Sequence, residues 1–202
     1  MNPSDESDER RFVLRLQAHD ERAFNELVEA FSPRVFRLVL RMLGRRAEAE
    51  DMTQEVFVQV FKAISQFRGD SKLSTWIYRV AVNSCKNRTK YLSRRHDSAQ
   101  DALDLVSDHE PLHQAKGVTA SDVSRPDQLV EGMQVEQIVR HAITLLEPDF
   151  REALVLRDIE NLSYEEITAI TGLAEGTVKS RIHRARSMLK EYVERVLGEK
   201  IA

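Results

Sequence analysis

The sequence has little cysteine, glycine or proline and no long apolar run. A single cysteine, Cys85, in 202 residues excludes an internal disulfide and predicts a buried thiol acting as a small hydrophobe. Seven glycines and five prolines are few for a turn-rich β-protein, and alternation of β-branched residues is absent. Apolar residues instead recur at helical spacing, so the expected class is all-α. No apolar stretch approaches the roughly 20 residues that cross a bilayer. The first residues, MNPSDESDERR, are acidic and polar, where an export signal would be basic and then apolar. The expectation is a cytoplasmic protein with no direct membrane insertion, of a length for two small helical domains.

The distribution of charge is more informative than its sum. The net charge is −3, yet Gly176 to Lys190 holds Lys179, Arg181, Arg184, Arg186 and Lys190 with no carboxylate. Upstream, Ser163 followed by Glu166 is a capping box that starts a short helix with Ile167 and Ile170 on its apolar face. Gly172 suits a helix stop, and the chain restarts between Glu175 and Thr177. Val178, Ile182, Ala185 and Leu189 then fall on one narrow stripe, leaving Lys179, Ser180, His183, Arg184, Arg186 and Lys190 outward. An isolated basic run is ordinarily a solvated face. Here cap, turn and charge agree on a helix-turn-helix, and cations read as unpaired would repel one another without an anion such as duplex DNA. Val135, Ile138, Val139, Ala142, Leu145 and Leu146, followed by Phe150, Leu154, Val155 and Leu156, are expected to supply its scaffold.

The first half is helical as well. Phe24, Leu27, Val28 and Phe31 continue into Val35, Leu38, Val39 and Met42. Next, "EAEDMTQEVFVQVFKAI" pairs an apolar stripe of Val56, Phe57, Val60, Phe61 and Ile64 with acids crowded at its start. Those acids suit a helix N-terminus, or a surface for a basic partner that also uses Gln54. The loop "FRGDSKLSTW" breaks the pattern, with Ser74 or Thr75 expected as the next N-cap. Trp76 reads as a buried anchor rather than a base-stacking platform. Lys86, Arg88, Lys90, Arg94 and Arg95 form a second run of cations without an acid. Between the halves, 97–127 carries seven acids against Lys116 and Arg125 and reads as a mostly disordered acidic linker. His96, His109 and His113 are read there as solvated side chains, and no metal or cofactor is expected.

This ordered pair of basic helical modules resembles the group IV, extracytoplasmic-function (ECF) RNA polymerase sigma factors of the sigma-E type. The likeness is carried by "AFNELVEAF", by "EDMTQEVFVQVFKAISQFRGDSKLSTWIYRVAVNSCKN" and by "LRDIENLSYEEITAITGLAEGTVKSRIHRARSML". It implies a polar tail at 1–9, sigma region 2 at 10–96, a linker at 97–127 and sigma region 4 at 128–202. Asp51, Gln54 and Glu55 would meet the clamp helices of the polymerase β′ subunit. Phe67, Arg68, Gly69, Asp70, Ser71 and Lys72, closed by Asn83, would capture a flipped base of the −10 element, with Lys86, Arg88 and Lys90 on the strand's phosphates. Thr177, Lys179, Ser180, His183, Arg184 and Arg186 would bind the −35 major groove, and the β-flap would pack on the scaffold of region 4. Some sigma-E-type relatives carry phenylalanine at the position of His183, so a hydrogen bond replaces the expected thymine contact. The likeness also implies an anti-sigma partner, and a linker that lies in the RNA exit path.

Two rivals differ in kind. A conventional helix-turn-helix regulator accounts for Ser163 to Leu189 but leaves the Phe67 to Asn83 segment without a task. A nuclease needs clustered carboxylates for a metal, or a nucleophile with its base, and the sequence suggests neither; no catalytic residue is expected.

Overall fold

The structure, a computed structural model, describes residues 3–99 and 126–198, with side chains over 7–92 and 135–198. Eight α-helices account for the described residues: α1 (Pro3–Gln17), α2 (Glu21–Leu43), α3 (Arg46–Ala63), α4 (Leu73–Ala99), α5 (Pro126–Leu145), α6 (Pro148–Leu154), α7 (Tyr164–Thr171) and α8 (Glu175–Leu197). A 3-10 turn, Ile64–Gln66, ends α3, and a π turn, Val155–Ile159, extends α6. No strand occurs among the described residues. The expected all-α class holds. Helix α1 begins at Pro3, so residues 3–9 belong to a helix. Most of 97–127, with His109 and His113, lies outside the described residues.

Local chemistry sets several boundaries. Asp20 caps α2, its Oδ1 accepting from the amides of Arg22 (2.9 Å) and Ala23 (3.2 Å). At the other end Gly44 adopts φ +83°, and a Cβ there would stand 3.4 Å from Cγ2 of Thr144. Both the left-handed turn and the approach of α5 favour glycine. The capping box forms as expected: the Glu166 amide donates to Ser163 Oγ (3.1 Å) and the Ser163 amide to Glu166 Oε2 (2.9 Å). Gly172 closes α7 in the left-handed region.

Leu27, Val35, Leu38, Val56, Val60 and Ile77 are buried in the first half, and Leu156, Ile167, Val178 and Ile182 in the second. Their burial is continuous. One apolar core runs through both halves, because α4 packs on α7 while α2 packs on α5, α6 and the π turn. Polar bridges reinforce the seam. Tyr78 donates to Glu160 (3.0 Å), Arg79 Nε to the Ala169 carbonyl (2.7 Å), and Arg151 Nη1 to the Met42 carbonyl (2.7 Å). The Arg151 guanidinium also serves the carbonyls of Ile143, Thr144 and Leu146, closing the end of α5. Burial pushes its pKa below the usual arginine value and pushes that of the Tyr78 hydroxyl up. Cys85 is buried, and burial raises its thiol to about 12.

Three expectations about the core need correction. Val135 and Leu145 are exposed; the buried line of α5 continues through Ala142, Ile143 and Leu146. Phe61 is exposed too, its ring lying 5.0 Å edge-on from Phe24 and 4.8 Å from His19. Spacing identifies a stripe, but the tertiary neighbours decide which of its edge residues is covered.

Candidate nucleic-acid and polymerase interfaces

In the second half, α7 and α8 form the expected helix-turn-helix. Val178, Ile182 and Ala185 are buried, whereas Thr177, Lys179, Ser180, His183, Arg184 and Arg186 are all exposed along α8. This face is therefore accessible, but most of its cations are paired. Lys179 Nζ lies 2.5 Å from Glu175, Arg181 2.5 Å from Asp149, Arg186 2.5 Å from Asp158 and Lys190 3.8 Å from Glu194. Lys179 also sits 5.1 Å from the centroid of Tyr164. Every one of these acids lies outside the stretch that lacks carboxylates. Surface pairs contribute only about 0–1 kcal/mol, so phosphate can displace them. Among the described residues Arg184 makes no ion pair.

In the first half, the Phe67 ring is 7% exposed and packs on Trp76 at 5.4 Å between centroids. Phe67 belongs to the core and its ring does not face solvent, contrary to expectation, whereas Trp76, expected as a buried anchor, is half-buried against that core. Arg68, Gly69, Asp70 and Lys72 are exposed and Ser71 half-buried. Gly69 takes φ +78° with open space where a Cβ would stand, so only the backbone conformation requires glycine. The loop borders a cleft of ≈ 1040 Å³ whose other wall is α1.

Asn83 is exposed on α4 but does not line that cleft. It lies ten residues beyond Leu73, about 15 Å along the helix.

The second cationic run and the loop's Lys72 are partly occupied. Lys86 Nζ stands 2.8 Å from Glu152 Oε2 on α6, and Lys72 Nζ 3.1 Å from Glu166 of the capping box. Arg88 lies 3.8 Å from Glu48, and Lys90 is exposed. The Glu152 side chain is only 2% exposed, and neither carboxylate oxygen has hydrogen-bond geometry with a partner among the described residues. Burial raises its pKa, and Lys86 offsets part of that rise. Sequence spacing does not reveal this pairing, because it joins α4 to a helix in the other half.

On α3, Asp51, Gln54 and Glu55 are exposed along one face. Val58, one turn further along that face, is 50% exposed. An exposed apolar side chain that follows acids and an amide along one helix face suits a protein partner. Sequence reasoning missed Val58 because it sits beside a genuine apolar stripe. No group of His, Cys, Asp and Glu among the described residues is arranged to hold a metal ion.

Comparison with known proteins places the chain in a family. The Sigma-70 region 2 profile matches residues 27–95, and the Sigma-70, region 4 profile matches 136–189. The ECF RNA polymerase sigma-E factor of Escherichia coli is 38% identical over 182 residues, covering 90% of this chain and 92% of that protein. The chain belongs to the ECF sigma-factor family. Sigma factors are transcription-initiation specificity factors, and this one is also 34% identical over 195 residues to the RNA polymerase sigma-H factor of Pseudomonas aeruginosa, covering 95% and 96% of the two chains. The sigma factor's fold matches solved structures. These include sigma factor RpoE in complex with anti-sigma factor NepR from Bartonella quintana (TM-score 0.65, 24% identity, 85% and 96% coverage) and CnrH in complex with the cytosolic domain of CnrY (TM-score 0.63, 20% identity, 93% and 97% coverage). No described helix of this sigma factor is long and apolar enough to cross a membrane.

Proposed function

We propose that this sigma factor binds core RNA polymerase in the cytoplasm, directs it to promoters with −10 and −35 elements, and opens the −10 strand by capture, with no catalytic site of its own. The observation that carries the reading is the exposure of Thr177, Lys179, Ser180, His183 and Arg184 on a helix whose opposite side is buried. Such a helix offers donors to the edges of −35 bases while neighbouring cations hold phosphates. Its N-terminal turn, with Thr177, Lys179 and Ser180, enters the groove. Arg184 and Arg186 flank the backbone.

In region 2, the exposed Arg68, Gly69, Asp70 and Ser71 receive one unstacked −10 base, the backbone of Phe67 fixing where the loop begins. Asn83 contacts a different nucleotide of the same strand, and Lys72, Lys86, Arg88 and Lys90 follow its phosphates. The polymerase clamp docks on Asp51, Gln54, Glu55 and Val58, and the β-flap on the scaffold of region 4. Lys86 and Lys72 meet acids of region 4 in the packed arrangement, so the two halves must separate before both lysines reach DNA. An anti-sigma protein is the partner that would hold them together, consistent with the solved complexes of RpoE with NepR and CnrH with CnrY.

A duplex-binding regulator would use the same α8 face without polymerase. Mobility shift separates the two readings. The purified chain alone should leave a promoter duplex unshifted at moderate salt, and addition of core enzyme should produce a promoter-specific complex. A shift by the chain alone, unchanged by core, would favour the regulator.

A further inference from the structure

The loop that the foregoing reading assigns to the −10 base is held at both ends by one helix outside the matched region 2 segment. Gln17 Nε2 donates to the Phe67 carbonyl at 2.8 Å and reaches the Ile64 carbonyl at 3.5 Å. At the far end, the Leu73 amide donates to Glu9 Oε1 at 2.6 Å. Leu73 is the first residue of α4, and its amide has no partner inside the helix. Glu9 therefore caps α4 from 64 residues away, and its negative charge stands at the positive end of the helix dipole. Helix α4 accordingly starts at Leu73, ahead of the Ser74 or Thr75 cap that local sequence suggests.

Glu9 and Gln17 are eight residues apart on α1, about 12 Å at helical rise. The segment between their two attachment points has little internal support. Among the described residues, the only hydrogen bond within it is a weak contact from Ser71 Oγ to the Lys72 carbonyl at 3.4 Å. Lys72 is otherwise tied outward, its carbonyl accepting from the Trp76 amide and its Nζ donating to Glu166, both at 3.1 Å, and the loop is open to solvent at Arg68, Gly69 and Asp70. The shape of the loop is set from outside.

We propose that α1 is a splint for the reading loop, with Glu9 and Gln17 as positioning residues that present it preshaped to the unpaired −10 strand. The inference rests on the −10 reading of that loop. A loop fixed beforehand loses less conformational freedom on binding, so the tie acts on strand capture and leaves −35 recognition alone. Glu9→Gln keeps an acceptor for the Leu73 amide; Glu9→Ala does not. Gln17→Glu keeps the shape but turns a donor into an acceptor facing two carbonyls.

The test uses full-length variants assembled with core polymerase on a fork template. That template has a duplex −35 element and an unpaired −10 strand carrying 2-aminopurine at the captured position. Glu9→Ala and Gln17→Glu should each weaken fork binding roughly fivefold, the effect of losing one cap-type hydrogen bond. The 2-aminopurine signal of the captured base should fall in parallel. Glu9→Gln should restore both, and binding to a duplex with only the −35 element should match the parent. Parent-like fork binding by Glu9→Ala and Gln17→Glu, or equal losses on the −35 duplex, would overturn the splint. Asp70→Ala and Asn83→Ala distinguish the two levels. If they weaken fork binding while the α1 variants do not, the splint alone fails. If all four are silent, the loop does not read the strand and the splint falls with it.

Discussion

Replacing Lys86 with methionine should open the molecule, by an amount that depends on pH. The substitution keeps the aliphatic stem but removes the cation 2.8 Å from Glu152, whose carboxylate is almost fully buried. Stripping one partner from a fully buried pair costs roughly 3–5 kcal/mol. Lys86 is 30% exposed, which lowers the expected loss to about 2–3 kcal/mol. Protonation sets a ceiling: neutralising a carboxyl of ordinary pKa 4.5 at pH 7 costs about 3.4 kcal/mol at 1.36 kcal/mol per pH unit. At pH 5 the same step costs less than about 1 kcal/mol.

The sign follows from burial. Glu152 has a raised pKa in the packed form and an ordinary one once the halves part, so packing takes up a proton. Packing is thus favoured at low pH and weakens as pH climbs from about 4.5 through the raised value. Removing Lys86 steepens that dependence. Separation of the halves rehydrates the carboxylate, so the cost should emerge as a shift of the open-to-closed ratio by roughly 30- to 150-fold at pH 7. Dyes on Glu29→Cys and Glu191→Cys, both exposed positions, report that ratio by energy transfer. Cys85 does not compete for label, being buried with its thiol raised to about 12. The double variant Lys86→Met with Glu152→Gln should return to within about 1 kcal/mol of the parent. A Lys86→Met protein as closed as the parent at pH 7, or opened equally at pH 5 and 7, would refute the reasoning.

Other outcomes follow from the same geometry. Lys179→Ala should reduce use of the −35 element, and Asn83→Ala should damage −10 use with −35 anchoring retained; permanganate footprints on promoters altered at one element separate the two. Val58→Glu, at the exposed apolar point of the acidic α3 face, should weaken core binding by at least tenfold in a polymerase pull-down without moving the urea midpoint. Ser163→Ala removes one half of the capping box and should cost about 1 kcal/mol in chemical denaturation, with α8 losing its register against α7.

The parts of the molecule built from neighbouring residues were legible in the sequence. The Ser163–Glu166 box, the Gly172 stop and the buried line through Val178, Ile182 and Ala185 depend on spacings of a few residues, and all three are present. The crowding of acids at the start of α3, with Gln54 beside them, was likewise legible, whereas Asp51, Gln54 and Glu55 were singled out only by the family resemblance. Features joining distant segments were not. Asp149 and Asp158 neutralise Arg181 and Arg186 from outside α8, whereas Glu175 and Glu194 pair with Lys179 and Lys190 within the helix, just beyond the stretch that lacks acids. Glu9 moves the start of α4, and Glu152 meets Lys86 only because the two halves pack. The exposed Val58, Phe61, Val135 and Leu145 show the same limit from the apolar side, since periodicity cannot say which neighbour covers a stripe's edge.

Run-off transcription with purified bacterial core polymerase tests the central claim most directly. On a library of genomic promoter fragments, core enzyme plus this chain should yield transcripts from a small set sharing one −10 and one −35 sequence, and core alone should yield none of them. Failure of the chain to bind core at moderate salt, or transcripts that are the same with and without it, would contradict the account.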